Sequence, residues 1–194
     1  VHPNDHVNFG QSTNDTFPTA MRLAILLDEG GLEQALAGLA ASLRAKGREF
    51  AKIVTAGRTH LQDATPIRLG QVFTGYADGL DRAGKALAEA ARSLEELGIG
   101  GTAVGTGVNR HPDYPKQMAV DLSRLTGLRL RPTRIPVSMH QSMHDFARYA
   151  AALKGVALEV NRTADDLRLM SSGPTSGIGE ITLPPVQPGS SIMP

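Results

Sequence analysis

LGQVFTGYADGLDRAGKALAEAARSLEEL, residues 69–97, is the stretch on which the fold class turns. In it Leu69, Phe73, Tyr76, Leu80, Ala83, Leu87, Ala90, Leu94 and Leu97 fall in a register that mostly alternates four and three residues apart. That register lets one helix lay a continuous apolar seam against another. Extended back to Gln62, the segment predicts a helix over 62–97 that would be about 50 Å long at 1.5 Å per residue. A helix of this length needs long neighbours to cover it, from its own chain or from other subunits.

Two further segments supply such neighbours. Leu32, Leu36, Leu39, Leu43, Phe50 and Ile53 share the register, with Arg44, Lys46 and Glu49 between them. Met143, Phe146, Ala150, Leu153, Val160, Leu167 and Met170 carry it over about 137–171. A shorter helix around Tyr114 to Thr126 ends at Gly127, a suitable C-cap residue. Between the helices lie loops rich in Gly, Ser, Thr, Asn and Pro, at 2–15, 57–60, 98–109 and 171–191. Period-two runs of β-branched residues are nearly absent, which predicts minimal strand content. Aromatic residues are only 4% of the chain, so packing must rest on Leu, Ala, Val and Met. The expected architecture is all-α, a bundle of very long helices with polar loops at its ends, formed by residues 1–194 as one domain.

Composition excludes several function classes. Twenty Lys and Arg against 19 Asp and Glu give a net charge of +1, so no strong field favours nucleic acid or an anionic membrane. The absence of cysteine removes disulfides, thiolate metal sites and a Cys nucleophile. No apolar run approaches a membrane span, and VHPNDHVN is not a signal peptide, so a cytoplasmic protein is expected.

The chemistry should therefore sit in the polar loops. GQSTND places Ser12, Thr13 and Asn14 immediately before a helical segment, where side-chain donors and unpaired backbone N–H groups converge on an anion. The same residues are also what a helix start prefers for capping, with Asp15 and Pro18 behind them. GRTH puts Thr59 and His60 in a tight turn, and His60 suits acid–base work. His2 with His6 and His140 with His144 have an i, i+4 spacing that a metal could use, but each pair lacks a clear third ligand. GIGGTAVGTG follows a helix rather than a strand and has no Lys after its last motif glycine. It reads as a close-packed turn, not a phosphate loop. The terminal GSSIMP offers two hydroxyls in a loop with flexible glycines, and on local chemistry alone it is a mobile loop or lid.

Together HPNDHVN, QSTNDTFPTA, GRTHLQDATP, GGTAVGTG and SGP…GEI…LP…PGSSIMP resemble the class II fumarase and aspartase branch of the fumarate lyase superfamily. The resemblance covers nearly the whole chain. It implies that the sequence is the central helical region of a longer enzyme, without that enzyme's N-terminal and C-terminal parts. It implies a reversible anti elimination from a C4 dicarboxylate, with fumarate as product and no metal or organic cofactor. By the same resemblance Ser190 is the base that takes the C3 proton, next to Ser191. His60 and Thr59 meet substrate, and Ser12, Thr13 and Asn14 bind its carboxylate. His2, Asn4 and Asp5 match a second dicarboxylate site. The family resemblance further implies a homotetramer whose long helices form one core and whose active sites each draw loops from three subunits.

The leaving group is read from differences between the branches. TFPTAM, GRTHLQDATP and GGTAVGTG look more like fumarases. Thr13, LRLMSSGP and LPPVQPGSS look more like aspartases, and IPVSMHQSM at 135–143 replaces a segment typical of fumarases. The balance favours aspartase, with fumarase as the alternative. A third reading is an oligomerisation bundle without activity of its own.

Overall fold

The computed structural model of the chain describes residues 1–187 and 189. Its elements are α1 (Thr13–Glu49), β1 (Val54–Thr59), β2 (Gln62–Arg68), α2 (Leu69–Ala91), β3 (Glu96–Leu97), α3 (Tyr114–Thr126), β4 (Arg131–Pro132), α4 (Pro136–Gln141) and α5 (His144–Met170). The fold is helical, as the seams predict. Among the described residues no helix is long and apolar enough to cross a membrane. The chain divides into two compact units, and α1, α2 and α5 each contribute to both.

The first unit comprises Val1–Gly38 and Asp81–Gly155. Its core gathers Leu36, Leu87, Ala90, Leu94, Leu97, Ile99 and Ala119, and Leu94 and Leu97 are fully buried. Buried Arg22 ties three segments together. Its guanidinium donates to Ser93 O at 3.1 Å, pairs with Asp145 at 2.8 Å and lies over the Phe146 ring. Glu29 accepts a hydrogen bond from the Tyr149 hydroxyl. Burial, then that contact with Glu29, pushes the Tyr149 phenol well above its usual range, so it serves as a donor. The Gly127 N–H closes α3 on Ser123 O at 2.9 Å with φ 75°, the left-handed cap that the sequence predicts.

The second unit comprises Leu39–Leu80 and the chain from Val156 onward. Its core contains Ala40, Leu43, Leu69, Phe73, Ala77, Leu80, Val156 and Met170. Phe50, Phe73 and Tyr76 stack edge to face, with ring centroids 5.2 and 5.9 Å apart. Here α1 and α2 approach until backbones touch: a Cβ on Gly70 would stand 2.3 Å from Gly47 O.

Three sequence expectations need correction. Residues 62–68 are not helical: they pair antiparallel with β1, from Thr59↔Gln62 to Val54↔Arg68. Thr65, Pro66 and Ile67 explain why, because two are β-branched and the proline has no N–H to give a helix. The helix therefore runs only from Leu69 to Ala91, about 35 Å. Conversely, α1 begins at Thr13, well before the Leu32 seam. Its earlier buried stripe is Asp15, Thr19, Arg22 and Glu29, which hydropathy does not register. On α5 the buried face is Tyr149, Val156, Thr163 and Met170, seven residues apart, while Leu153 and Val160 of the predicted seam are exposed.

The seam assigns the largest packing role to leucines such as Leu87, which is 1% exposed. Leu87→Ala should cost about 2–5 kcal/mol of unfolding free energy, against less than about 0.5 kcal/mol for the exposed Glu33→Ala. Chemical denaturation followed by circular dichroism measures both.

Candidate functional site

In the first unit the start of α1 is fastened by one buried carboxylate. Asp15 is 1% exposed. Its Oδ1 accepts from Ser12 N at 3.0 Å, while Oδ2 accepts from Gly100 N at 3.0 Å and Thr102 N at 2.9 Å. Ser12 Oγ in turn accepts from Asn14 N at 3.2 Å, completing a reciprocal cap of the Ser-x-x-Asp kind. The Asn14 side-chain amide donates to Ala103 O at 2.8 Å. Capping and site formation are thus one arrangement: the interactions that start the helix also pin it to the glycine-rich segment 98–107. The helix dipole makes this end partly positive, and the Ser12, Asn14, Asp15 and Thr16 N–H groups are all paired within the turn.

Beside it lies a cleft of about 440 Å³ lined by Asn4, Phe9, Gln11, Ser12, Thr102 and Asn109 among others. Asn4 and Ser12 therefore line the same cleft. His2 and Asp5 are turned towards each other instead: His2 Nδ1 accepts from Asp5 N at 3.2 Å and stands 3.1 Å from its carboxylate. His6 Nδ1 accepts from His2 N at 2.8 Å, so these imidazoles serve a wide turn over Pro3–Val7.

In the second unit Thr59 ends β1 and His60 forms the hairpin tip. His60 and Leu61 both have positive φ, 50° and 62°. A two-residue turn of this hand matches strand twist but ordinarily takes Asn-Gly. A leucine held there carries strain of about 1–2 kcal/mol. The tip borders a pocket of about 650 Å³ whose lining includes Arg58, Thr59, His60, Tyr76, Asp166 and Glu180. Glu180 Oε1 accepts from Thr55 Oγ1 at 2.6 Å and from the Arg58 guanidinium at 2.8 Å. Burial acts to raise the Glu180 carboxyl, but the bonds from Arg58 and Thr55 prevail and hold it below the usual carboxylate range. The Arg58 charge is thereby committed to the protein. Burial, followed by the Asp166 carboxylate, pushes the Tyr76 phenol far up, so it remains protonated.

The structure thus brings Ser12, Thr13, Asn14 and Asn4 together at one end of the first unit, and Thr59 and His60 together in the second. Ser190 and Ser191 lie outside the described residues. The sequence reading did not single out Arg58 and Glu180; the Arg next to Thr-His and the Glu of GEI were the available signals.

Two consequences can be measured. Leu61→Gly should raise stability by roughly 0.5–1 kcal/mol by relieving the left-handed leucine, a small rise in melting temperature. Glu180→Gln should lower stability by about 1–2 kcal/mol near neutral pH. Because the Glu180 carboxyl is depressed on folding, its contribution is present above the ordinary carboxylate range and disappears as pH falls through its folded value. The difference between wild type and variant should therefore shrink on acidification.

Comparison with known proteins bears on this geometry. The profile of a family described as Lyase matches residues 1–194. The chain is 46% identical over its whole length to a class II fumarate hydratase of Neisseria meningitidis, and 44% identical to an aspartate ammonia-lyase of Pseudomonas aeruginosa. A crystal structure titled fumarate lyase:delta crystallin from Brucella melitensis, bound to cobalt, superposes with a TM-score of 0.95 at 48% identity. It is covered over 42% of its chain, and the two enzymes over 42% and 41% of theirs, so the chain spans less than half the length of these relatives. By the family match over its full length, the chain belongs to the Lyase family, in the class II fumarase and aspartase branch of the fumarate lyase superfamily.

Proposed function

We propose that the protein acts as a fumarate-forming lyase on a C4 dicarboxylate, within an enzyme of which this chain supplies the helical core. The observation that carries this reading is the start of α1, where Asp15 and Asn14 bind the 98–107 segment and Asp15 holds Ser12, with Thr13 between them in the chain. Removing a proton beside a carboxylate places a second negative charge on that group. Donors fixed in advance favour this state over the substrate. In this reading Ser12, Thr13 and Asn14 hold one carboxylate, Thr59 and His60 contact substrate or its leaving group, and Ser190 takes the C3 proton beside Ser191. His2, Asn4 and Asp5 form a second dicarboxylate site. The reaction requires no metal or organic cofactor.

Assembly as a homotetramer, with each site drawn from three subunits, completes the reading. Its support is the apolar surface left on the long helices: Leu27 is 56% exposed on α1, and Leu158 is 60% exposed on α5. A cytoplasmic setting is part of the same proposal.

L-Aspartate is the substrate favoured by Thr13, LRLMSSGP, LPPVQPGSS and the IPVSMHQSM segment. L-Malate is the second reading, favoured by the class II fumarate hydratases among the relatives. Following fumarate absorbance with the full-length enzyme, offered each substrate in parallel, separates them. Turnover of aspartate alone supports the first reading, turnover of malate alone the second, and turnover of neither leaves the non-catalytic bundle. Ser190→Ala should lower turnover by about 10²–10⁴-fold with the tetramer intact on gel filtration; full activity would remove Ser190 from its role.

A further inference from the structure

The β1–β2 hairpin is exposed where it carries Thr59 and His60. Thr59, His60, Leu61 and Gln62 are all exposed, whereas Thr55, Ala56, Gly57 and Arg58 are half-buried. Burial therefore does not hold the tip, and a hairpin of two strands is marginal on its own. The left-handed pair His60-Leu61 adds strain that the surroundings must meet.

Main-chain bonds fasten the base, where Leu69 N donates to Ile53 O at 2.9 Å and Gly70 N to Phe50 O at 3.1 Å. Beyond the base, and among the described residues, the side-chain hydrogen bonds and ion pairs that leave the hairpin both end on Glu180. They come from Thr55 Oγ1 at 2.6 Å and from the Arg58 guanidinium at 2.8 Å. Arg58 stands where the ladder slips: the register passes from Gly57↔Thr65 to Arg58↔Asp63 and steps over Ala64. Such a slip bends a strand pair, so the chain beyond it needs its own point of attachment. Arg58 supplies one, reaching Glu180 outside the hairpin and Asp63 across it at 3.5 Å.

Glu180 is itself held in place. Its N–H donates to Met170 O at 2.8 Å, beside Gly179 N to Ser172 O at 2.8 Å and Ile178 N to Ser172 Oγ at 3.0 Å. The carboxylate thus sits on a segment bonded to the end of α5.

We propose that Glu180 is a positioning residue: by binding Arg58 and Thr55 it fixes the β1–β2 hairpin to the end of α5 and so sets where Thr59 and His60 stand when they meet substrate. In this role it touches no substrate and acts through Arg58. That Thr59 and His60 meet substrate rests on the function proposed above. The anchoring of the hairpin does not.

Two measurements on the full-length enzyme test this. In Glu180→Gln the hairpin amides near the tip should exchange with deuterium about tenfold faster, whereas Leu87→Val, destabilised by packing alone, should leave them at the wild-type rate. Fumarate formation is then followed from whichever of L-aspartate or L-malate the wild type uses. Glu180→Gln should lower kcat/KM by about 10- to 100-fold per folded enzyme, and Leu87→Val should not. In a Thr59→Val, His60→Asn background the same Glu180→Gln change should cost less than about twofold, because groups already removed cannot be misplaced. Hairpin amides unmoved in Glu180→Gln, or losses that multiply in full across the two backgrounds, overturn the proposal. If Glu180→Gln does not fold, Thr55→Val, which removes the hydroxyl bond alone, takes its place with the same expectations at smaller size. Faster hairpin exchange in an enzyme that turns over neither substrate would uphold the anchor and count against the lyase reading.

Discussion

One carboxylate organises the first unit. Asp15 is withdrawn from water and takes three backbone N–H bonds, one from the helix it begins and two from a loop some 85 residues later. A buried charge is tolerable only when its oxygens are satisfied this fully. The contact therefore constrains both partners: α1 must start at this point, and the 98–107 segment must fold back to supply Gly100 and Thr102. Once that is done, Ser12 and Asn14 are held by Asp15 and by Ala103 O. In the proposed function this fixed end of α1 is what would meet a substrate carboxylate.

The same logic explains what was legible in the sequence. The seam from Leu69 to Leu97 was readable because leucines at heptad spacing declare a buried face, and all its leucines are buried. The short helix α3 was readable from its apolar period and Gly127. The first half of α1 was not readable as a seam, since its buried stripe is Asp15, Thr19, Arg22 and Glu29. Three of them meet partners far along the chain, Gly100 and Thr102 for Asp15, Asp145 for Arg22 and Tyr149 for one oxygen of Glu29, while Thr19 donates to Asp15 O within the helix. On α5 an apolar pattern pointed to Leu153 and Val160, whereas the buried positions include Thr163, which spends its hydroxyl on Glu159 O. Hydropathy marks surfaces to be covered, and it does not say which of them the same chain covers.

The hairpin was missed for a related reason. Its strands carry Gly57, Arg58, Asp63 and Pro66 in place of a clean alternation, and its tip has His60-Leu61 where a turn signal would be Asn-Gly. The motif GRTH was nonetheless found as a motif, because Thr and His together are chemically informative without any knowledge of the strand they end. Its strained tip is held by the register of β1 with β2 and by the Thr55–Glu180–Arg58 network. Polar loops of this kind reveal their chemistry sooner than their geometry.

The central question is whether the Asp15-anchored end of α1 receives a carboxylate. Calorimetric titration with fumarate of the wild type and of Asp15→Asn, each checked for helicity, addresses this most directly. An asparagine there would set its amide against N–H donors that need an acceptor, so the wild type should bind measurably and the variant, with unchanged helical content, about tenfold or more weakly. Equal affinity of the two proteins, or no binding by the wild type, would contradict it.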